Sequence, residues 1–155
     1  MSRPDWTIRP LQAADRAGWE PLARGYKAFY ETEHDEATYE QAWQRLLAGR
    51  EIHGLAAVDD AGRLLGLAHY LFHTSVWTGS SCYLQDLFVA PDARGQGVAA
   101  ALIEAVAECA AAQGAIRYYW LTQAHNTTAR RLYDRVALHR GFVRYDYPLL
   151  EAVRA

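Results

Sequence analysis

The chain has 155 residues, the length of one ordinary domain, and its 51% hydrophobic and 22% charged residues exclude a disordered polymer. Sixteen Lys and Arg against eighteen Asp and Glu leave a net charge of −2, which argues against a nucleic-acid binder acting by bulk attraction. No apolar run approaches the roughly 20 residues of a membrane span, and the start, Met1-Ser2-Arg3-Pro4-Asp5, lacks the apolar core of a signal peptide.

In chain order, Trp6-Thr7-Ile8-Arg9 alternates like a short strand and Pro10 ends it. Residues 13–30 predict a helix, with Trp19, Leu22, Tyr26 and Phe29 at helical spacing. A second helix is predicted over 36–47 from Tyr39, Trp43, Leu46 and Leu47, with Gly49 as its stop. The period then changes. Residues 52–58 read as a strand, 59–62 as a turn and 64–72 as the returning strand of an antiparallel hairpin. Residues 81–89 are a further strand, apolar on successive residues at Leu87-Phe88-Val89, as expected where both faces are covered. A long helix follows, with Val98, Ala101, Leu102, Ala105, Val106 and Cys109 on one stripe and Gly114 as its cap. Residues 116–122 predict a strand. A helix is predicted from Thr127 up to Gly141, and residues 142–147 predict a closing strand. The order β-α-α-β-β-β-α-β-α-β describes an α/β protein, a mixed sheet with helices on its faces. No repeat or linker interrupts it, so residues 1–155 are read as a single domain.

Arg94-Gly95-Gln96-Gly97-Val98-Ala99 joins a strand to the long helix. Glycines let the backbone approach a ligand, and the helix start aims unpaired N–H groups at the same place. Such a turn binds phosphate, and Arg94 adds a cation; a plain tight turn with no ligand is the competing reading. A dinucleotide-binding loop lacks its acidic residue near 116–122. A P-loop lacks the Lys-Ser or Lys-Thr after its glycines.

On these residues the chain resembles the GNAT superfamily of acyl-CoA-dependent N-acetyltransferases. The motif of Gln or Arg, two residues, Gly, one residue, then Gly or Ala is met by Arg94, Gly97 and Ala99, after Leu87-Phe88-Val89-Ala90-Pro91. A second motif is met by Asn126, Ala129, Leu132-Tyr133 and Gly141-Phe142, with eight steps between Tyr133 and Gly141 that read as a longer helix. The stretches 118–123 and 132–137 are most similar to the branch acetylating polyamines, histone tails or free amino acids.

The resemblance implies direct transfer of an acetyl group from acetyl-CoA to a primary amine, with no metal. It assigns CoA to Leu87, Phe88, Val89, Arg94, Gly95, Gln96, Gly97, Val98, Ala99, Ala100, Asn126 and Ala129, and the leaving sulfur to Tyr133. Polyamine-acetylating relatives carry a Glu base where this chain has Gln85; Asp86 follows, but neighbouring strand residues point to opposite faces. A noncatalytic acyl-CoA-binding module is the alternative, favoured by Gln85 and opposed by Asn126 and Tyr133. Similar proteins are often dimers, so a homodimer is an expected assembly, with neither nucleic acid nor membrane as partner.

The chemistry sets its own demands. A lysine-like amine near pKa 10.4 costs about 4–5 kcal/mol to deprotonate at pH 7. Asp86 is the candidate base. Glu31 and Glu33, in an acidic tract with Asp35 and Glu36, are candidates to attract a cationic acceptor; a solvated loop and helix start is the plain reading of that tract. By the resemblance, a backbone N–H near Val89 is the expected donor to the thioester oxygen. Tyr133 and Asn126 also have plain readings, as a core tyrosine and a helix N-cap. His69 and His73, on one strand face with no third ligand, read as structural histidines. Cys82 and Cys109 are at neither framework nor metal spacing, which fits a reducing, cytoplasmic setting.

Overall fold

The computed structural model describes residues 4–149. By internal contacts the chain divides after Leu121 into two compact units.

The first unit holds the sheet. Its elements are β1 (Trp6–Pro10), α1 (Arg16–Phe29), α2 (Glu36–Ala48), β2 (Ile52–Asp59), β3 (Leu64–Ser75), β4 (Gly79–Val89), α3 (Val98–Ala112) and β5 (Arg117–Tyr119). Short 3-10 turns precede α1 and follow β4. The strands lie in the order β1-β2-β3-β4-β5, antiparallel throughout except for β4 with β5. This is the mixed α/β sheet that the periodicities predict.

Cross-strand partners show which helix covers which face. His69 of β3 meets Trp19 of α1, and Gly54, opposite His69 on β2, lies under Leu46 of α2. Gly66, also on β3, lies under Val98 and Leu102 of α3. From Gly66 to His69, odd positions of β3 therefore face α1 and α2 and even positions face α3, while Leu64, before a shift in the β2–β3 register, lies against Gly18 of α1. The α1–α2 layer is anchored by Trp19, Tyr39 and Trp43, all buried, with the Trp19 and Trp43 rings 5.1 Å apart. Leu102 and Val106 are fully buried beneath α3. Burying side chains of this size contributes about 2–3 kcal/mol each.

Local signals explain the helix ends. Asp35 caps α2 by accepting the Thr38 N–H at 2.9 Å, and Gly49 closes it in the left-handed region. Among the described residues no helix is long and apolar enough to cross a membrane.

The second unit contains α4 (Thr127–Val136). Two expectations change here. The helix stops at Val136 and does not run on to Gly141, because the apolar stripe through Ala129, Tyr133 and Val136 would next reach Arg140. Residues 142–147 form no strand. This unit offers them no other strand among the described residues, and a strand without a partner has no ladder to hold it. The preceding strand is also shorter than expected, three residues in place of 116–122.

Candidate active site

The parallel ladder between β4 and β5 joins only Ser81–Tyr83 to Arg117–Tyr119. Beyond Tyr83 the far edge of β4 has no strand partner among the described residues. Ala90 donates its N–H to the Leu65 carbonyl at 2.8 Å, toward β3. Alternation therefore turns the N–H and C=O of Val89 the other way, into the open edge. The Val89 carbonyl accepts from Arg94 Nε at 3.2 Å. The Val89 N–H is thus fixed in direction, as a donor to a developing oxyanion must be.

The turn after β4 fits a pyrophosphate. Gly95 and Gly97 have φ of 78° and 82°, the left-handed region where a side chain would be strained. A Cβ placed on either would meet nothing within 4 Å, so the space in front of the turn is open. Gly97 is the N-cap of α3, whose first intrahelical bond runs from the Ala101 N–H to the Gly97 carbonyl. The N–H groups of Val98, Ala99 and Ala100 precede that bond and point out of the helix start. Arg94, expected to add a cation at this turn, folds back with its guanidinium over the Phe88 ring at 5.6 Å.

The strand itself carries a bulge. His69 pairs with Asp86 while Tyr70 pairs with Leu84, so Gln85 is an extra residue on β4. A bulge re-aims side chains. Gln85 and Asp86, expected on opposite faces, both line one cavity of about 200 Å³ beneath α1 and α2. Trp19, Tyr26 and Lys27 of α1 and Tyr39 and Arg45 of α2 complete its polar and aromatic wall, with His34 from the loop between.

Asp86 is the cavity's only carboxylate among the described residues. Its Oδ2 lies 2.8 Å from His69 Nδ1, and both side chains are largely buried. Burial pushes the Asp86 carboxyl up. The hydrogen bond from His69 and the nearby charge of Lys27 outweigh burial and hold it below the usual carboxylate range. The Tyr26 hydroxyl donates to the Gln85 carbonyl at 3.4 Å; burial first, then the neighbouring Asp86 charge, raises its pKa far above the usual tyrosine range.

Glu31 and Glu33 are exposed on the α1–α2 loop and do not line the cavity. Asp35 is occupied as the α2 cap, and Glu36 pairs with Arg24 at 2.7 Å. Among the described residues no cluster of three His, Cys, Asp or Glu could hold a metal.

In the second unit, Asn126 caps α4. Its Oδ1 accepts the Ala129 N–H at 3.5 Å and its Nδ2 donates to Thr122 Oγ1 at 3.0 Å. Arg130 donates to the Ala124 carbonyl at 2.7 Å. Tyr133 stands two turns into the helix and is half-buried.

The aromatic and acidic stretch from Trp19 to Trp43 is expected as a whole to shape the acceptor pocket. Trp19, Tyr26, Lys27, His34 and Tyr39 of it line the cavity, whereas Arg45 and His69 lie outside that expectation. Trp19 and Tyr26 look like any core-facing helix positions. His69 reaches Asp86 only through the strand register, which spacing alone does not reveal.

The profile of the Acetyltransferase (GNAT) family matches residues 19–137. The chain is 30% identical over 141 residues to the D-amino-acid N-acetyltransferase HPA3 of Saccharomyces cerevisiae, covering 89% of this chain and 88% of that protein. It is 37% identical over 70 residues to the thialysine N-epsilon-acetyltransferase of Sus scrofa, a match covering 45% of this chain and 41% of that protein. Among solved structures, a probable acetyltransferase aligns with TM-score 0.84 at 23% identity, over 94% of this chain and 99% of that one. AAC(6')-Iy, in complex with the bisubstrate analog CoA-S-monomethyl-acetylneamine, aligns with TM-score 0.79 at 20% identity, over 92% and 96%. These structural likenesses show the shared fold. Fold, motifs and family match agree, and the chain belongs to the GNAT family of N-acetyltransferases.

Proposed function

We propose that the protein transfers the acetyl group of acetyl-CoA to the primary amine of a small molecule that also carries a carboxylate, an amino acid in the first instance. One observation carries this reading: Asp86 stands in a small cavity whose wall also presents two cations, Lys27 and Arg45. A polyamine would place its second ammonium against those cations. A zwitterion instead sets its ammonium on Asp86 and its carboxylate toward Arg45, whose fork suits two oxygens. A cavity of about 200 Å³ suits a ligand of that size. The amino-acid substrate in the name of the yeast relative supports the same class.

The residues divide the work as follows. Gly95, Gln96, Gly97, Val98, Ala99 and Ala100 would hold the pyrophosphate through main-chain N–H groups, with Leu87, Phe88 and Val89 lining the open edge for the pantetheine arm. Acetyl-CoA supplies a thioester carbonyl. Val89 N–H donates to its oxygen as negative charge builds there. Asp86 binds the ammonium and favours its charged form, so the proton must leave before attack, to Asp86 transiently or through water to solvent. The amine nitrogen then bonds the carbonyl carbon as the carbon–sulfur bond breaks. Tyr133 is our candidate to hydrogen-bond the departing sulfur, and Asn126 and Ala129 to meet the pantetheine arm. The balance is one amide, one thiol and one proton released.

The test is thiol release with matched acceptors: a free amino acid, its carboxamide and a diamine. The free amino acid is expected to exceed its carboxamide at least about tenfold in kcat/KM, and Arg45→Met to remove that preference. Preference for the diamine, or equal use of acid and amide, would overturn the carboxylate assignment. Tight CoA binding with no release on any amine would favour a noncatalytic module.

A further inference from the structure

Trp19, His69 and Asp86 form a continuous chain. Trp19 Nε1 is 3.0 Å from His69 Nε2, and His69 Nδ1 is 2.8 Å from Asp86 Oδ2. An indole nitrogen donates and never accepts. His69 Nε2 must therefore be the acceptor, with its lone pair engaged. The single proton of the neutral ring then lies on Nδ1 and is donated to Asp86. An imidazolium would set two N–H groups against each other at Trp19.

This arrangement has a mechanistic corollary. A His–Asp pair acts as a base when the far nitrogen of the ring is open to the substrate. Here that nitrogen is closed by a buried group that cannot return a proton, since Trp19 is 1% exposed. The chain conducts nothing and orients instead. It holds Asp86 by its Oδ2.

We propose that Trp19 and His69 are positioning residues, Trp19 fixing the Nδ1–H tautomer of His69 and His69 fixing the Asp86 carboxylate for the incoming ammonium. The proposal rests on the acetyltransferase reading above for its substrate, and on geometry alone for its hydrogen bonds. The groups that face the pair are known from each packed element. They are Tyr26 and Lys27 from α1, Tyr39 and Arg45 from α2, His34 from the intervening loop and Gln85 from β4. Gly54, opposite on β2, adds no charge.

The experiment combines nitrogen-15 NMR of the wild-type protein at pH 7.5 with kinetics of His69→Leu and His69→Asn. The His69 ring is expected protonated at Nδ1 and not at Nε2. His69→Leu should raise the acceptor KM about tenfold or more with the acetyl-CoA KM unchanged. It should also move the acid limb of kcat/KM to higher pH, because Asp86 loses the donor that favours its ionised form. His69→Asn keeps a donor near the Nδ1 position and should restore most of both. A wild-type ring protonated at Nε2 overturns the proposal, as does a His69→Leu enzyme with unchanged acceptor KM and pH profile. Should no amine be turned over, the functional reading fails by itself. The tautomer and a carbon-13 titration of Asp86 in wild type and His69→Leu still decide: coincident titrations overturn the proposal, and a higher Asp86 midpoint in the variant supports it.

Discussion

Arg94 reaches back from the glycine turn to donate its Nε–H to the carbonyl of Val89, at 3.2 Å, so the proposed phosphate loop and oxyanion donor share one brace. The bond uses a nitrogen that lysine lacks at that place. Arg94→Ala is expected to raise the acetyl-CoA KM about fivefold to tenfold, the cost of one such bond. Arg94→Lys should be nearly as impaired. Full rescue by Lys, with a steep dependence on ionic strength, would show that charge toward phosphate matters and the brace does not.

Gly97 tests the loop itself. At φ 82° any side chain is strained by roughly 1–2 kcal/mol, and the open space in front is where the pyrophosphate is proposed. Gly97→Ala carries the strain alone and should weaken CoA modestly. Gly97→Glu adds a carboxylate facing phosphate oxygens and should abolish binding in calorimetry. Retained affinity in Gly97→Glu would place the ligand elsewhere.

Gly66 holds α3 close to the sheet. A methyl there would lie 3.0 Å from the Phe88 carbonyl and 3.2 Å from both Leu102 and Val98. All three neighbours are main chain or tightly packed core, so none yields easily. Gly66→Ala should cost about 1–3 kcal/mol in denaturant unfolding. Because Val98 opens α3, the acetyl-CoA KM should rise with it. A neutral or stabilised variant would show that the helix is not held by this approach.

The elements of the first unit were legible because their patterns are local. Trp19, Leu22 and Tyr26 repeat at helical spacing, and Gly97 sits where a strand gives way to a helix. The acceptor side was less legible. Asp86 was visible as a carboxylate near the expected base, yet its aim depends on the Gln85 bulge, and a bulge has no spacing signature. His69 joins Asp86 across two strands, a contact set by register. Glu31 and Glu33 were marked by charge alone, and charge on a loop is usually solvated, as both are here. The 142–147 segment shows the converse limit, since alternation marks a capacity to pair and names no partner.

Asp15 ties the first strand to the first helix. Arg9 grips its carboxylate with two bonds, 2.7 and 3.0 Å, and the Gln12 N–H adds a third at 2.7 Å. The Arg9 hydrogen bonds outweigh burial and depress the Asp15 pKa below 3.8. A depressed carboxyl stabilises the fold above its unfolded pKa, and that contribution fades as pH falls through the lower folded value. Asp15→Asn should therefore lose about 2–3 kcal/mol at pH 7. The gap in Tm from wild type should hold from pH 8 to about 5 and narrow only below about pH 4. A gap that narrows near neutrality would point to another group.

Tyr133 is proposed to assist the leaving sulfur, and acidity limits how it does so. A tyrosine near pKa 10 is a weaker acid than a thiol near 8.5, so complete proton transfer is uphill by roughly 2 kcal/mol. A hydrogen bond that strengthens as the carbon–sulfur bond breaks has no such cost, and acts on the transition state more than on bound CoA. Tyr133→Phe keeps the ring and removes the donor. It should lower kcat about a hundredfold while the CoA Kd from calorimetry stays within about twofold. An equal loss in affinity would assign Tyr133 to binding, and an unchanged kcat would leave the sulfur to be protonated by water.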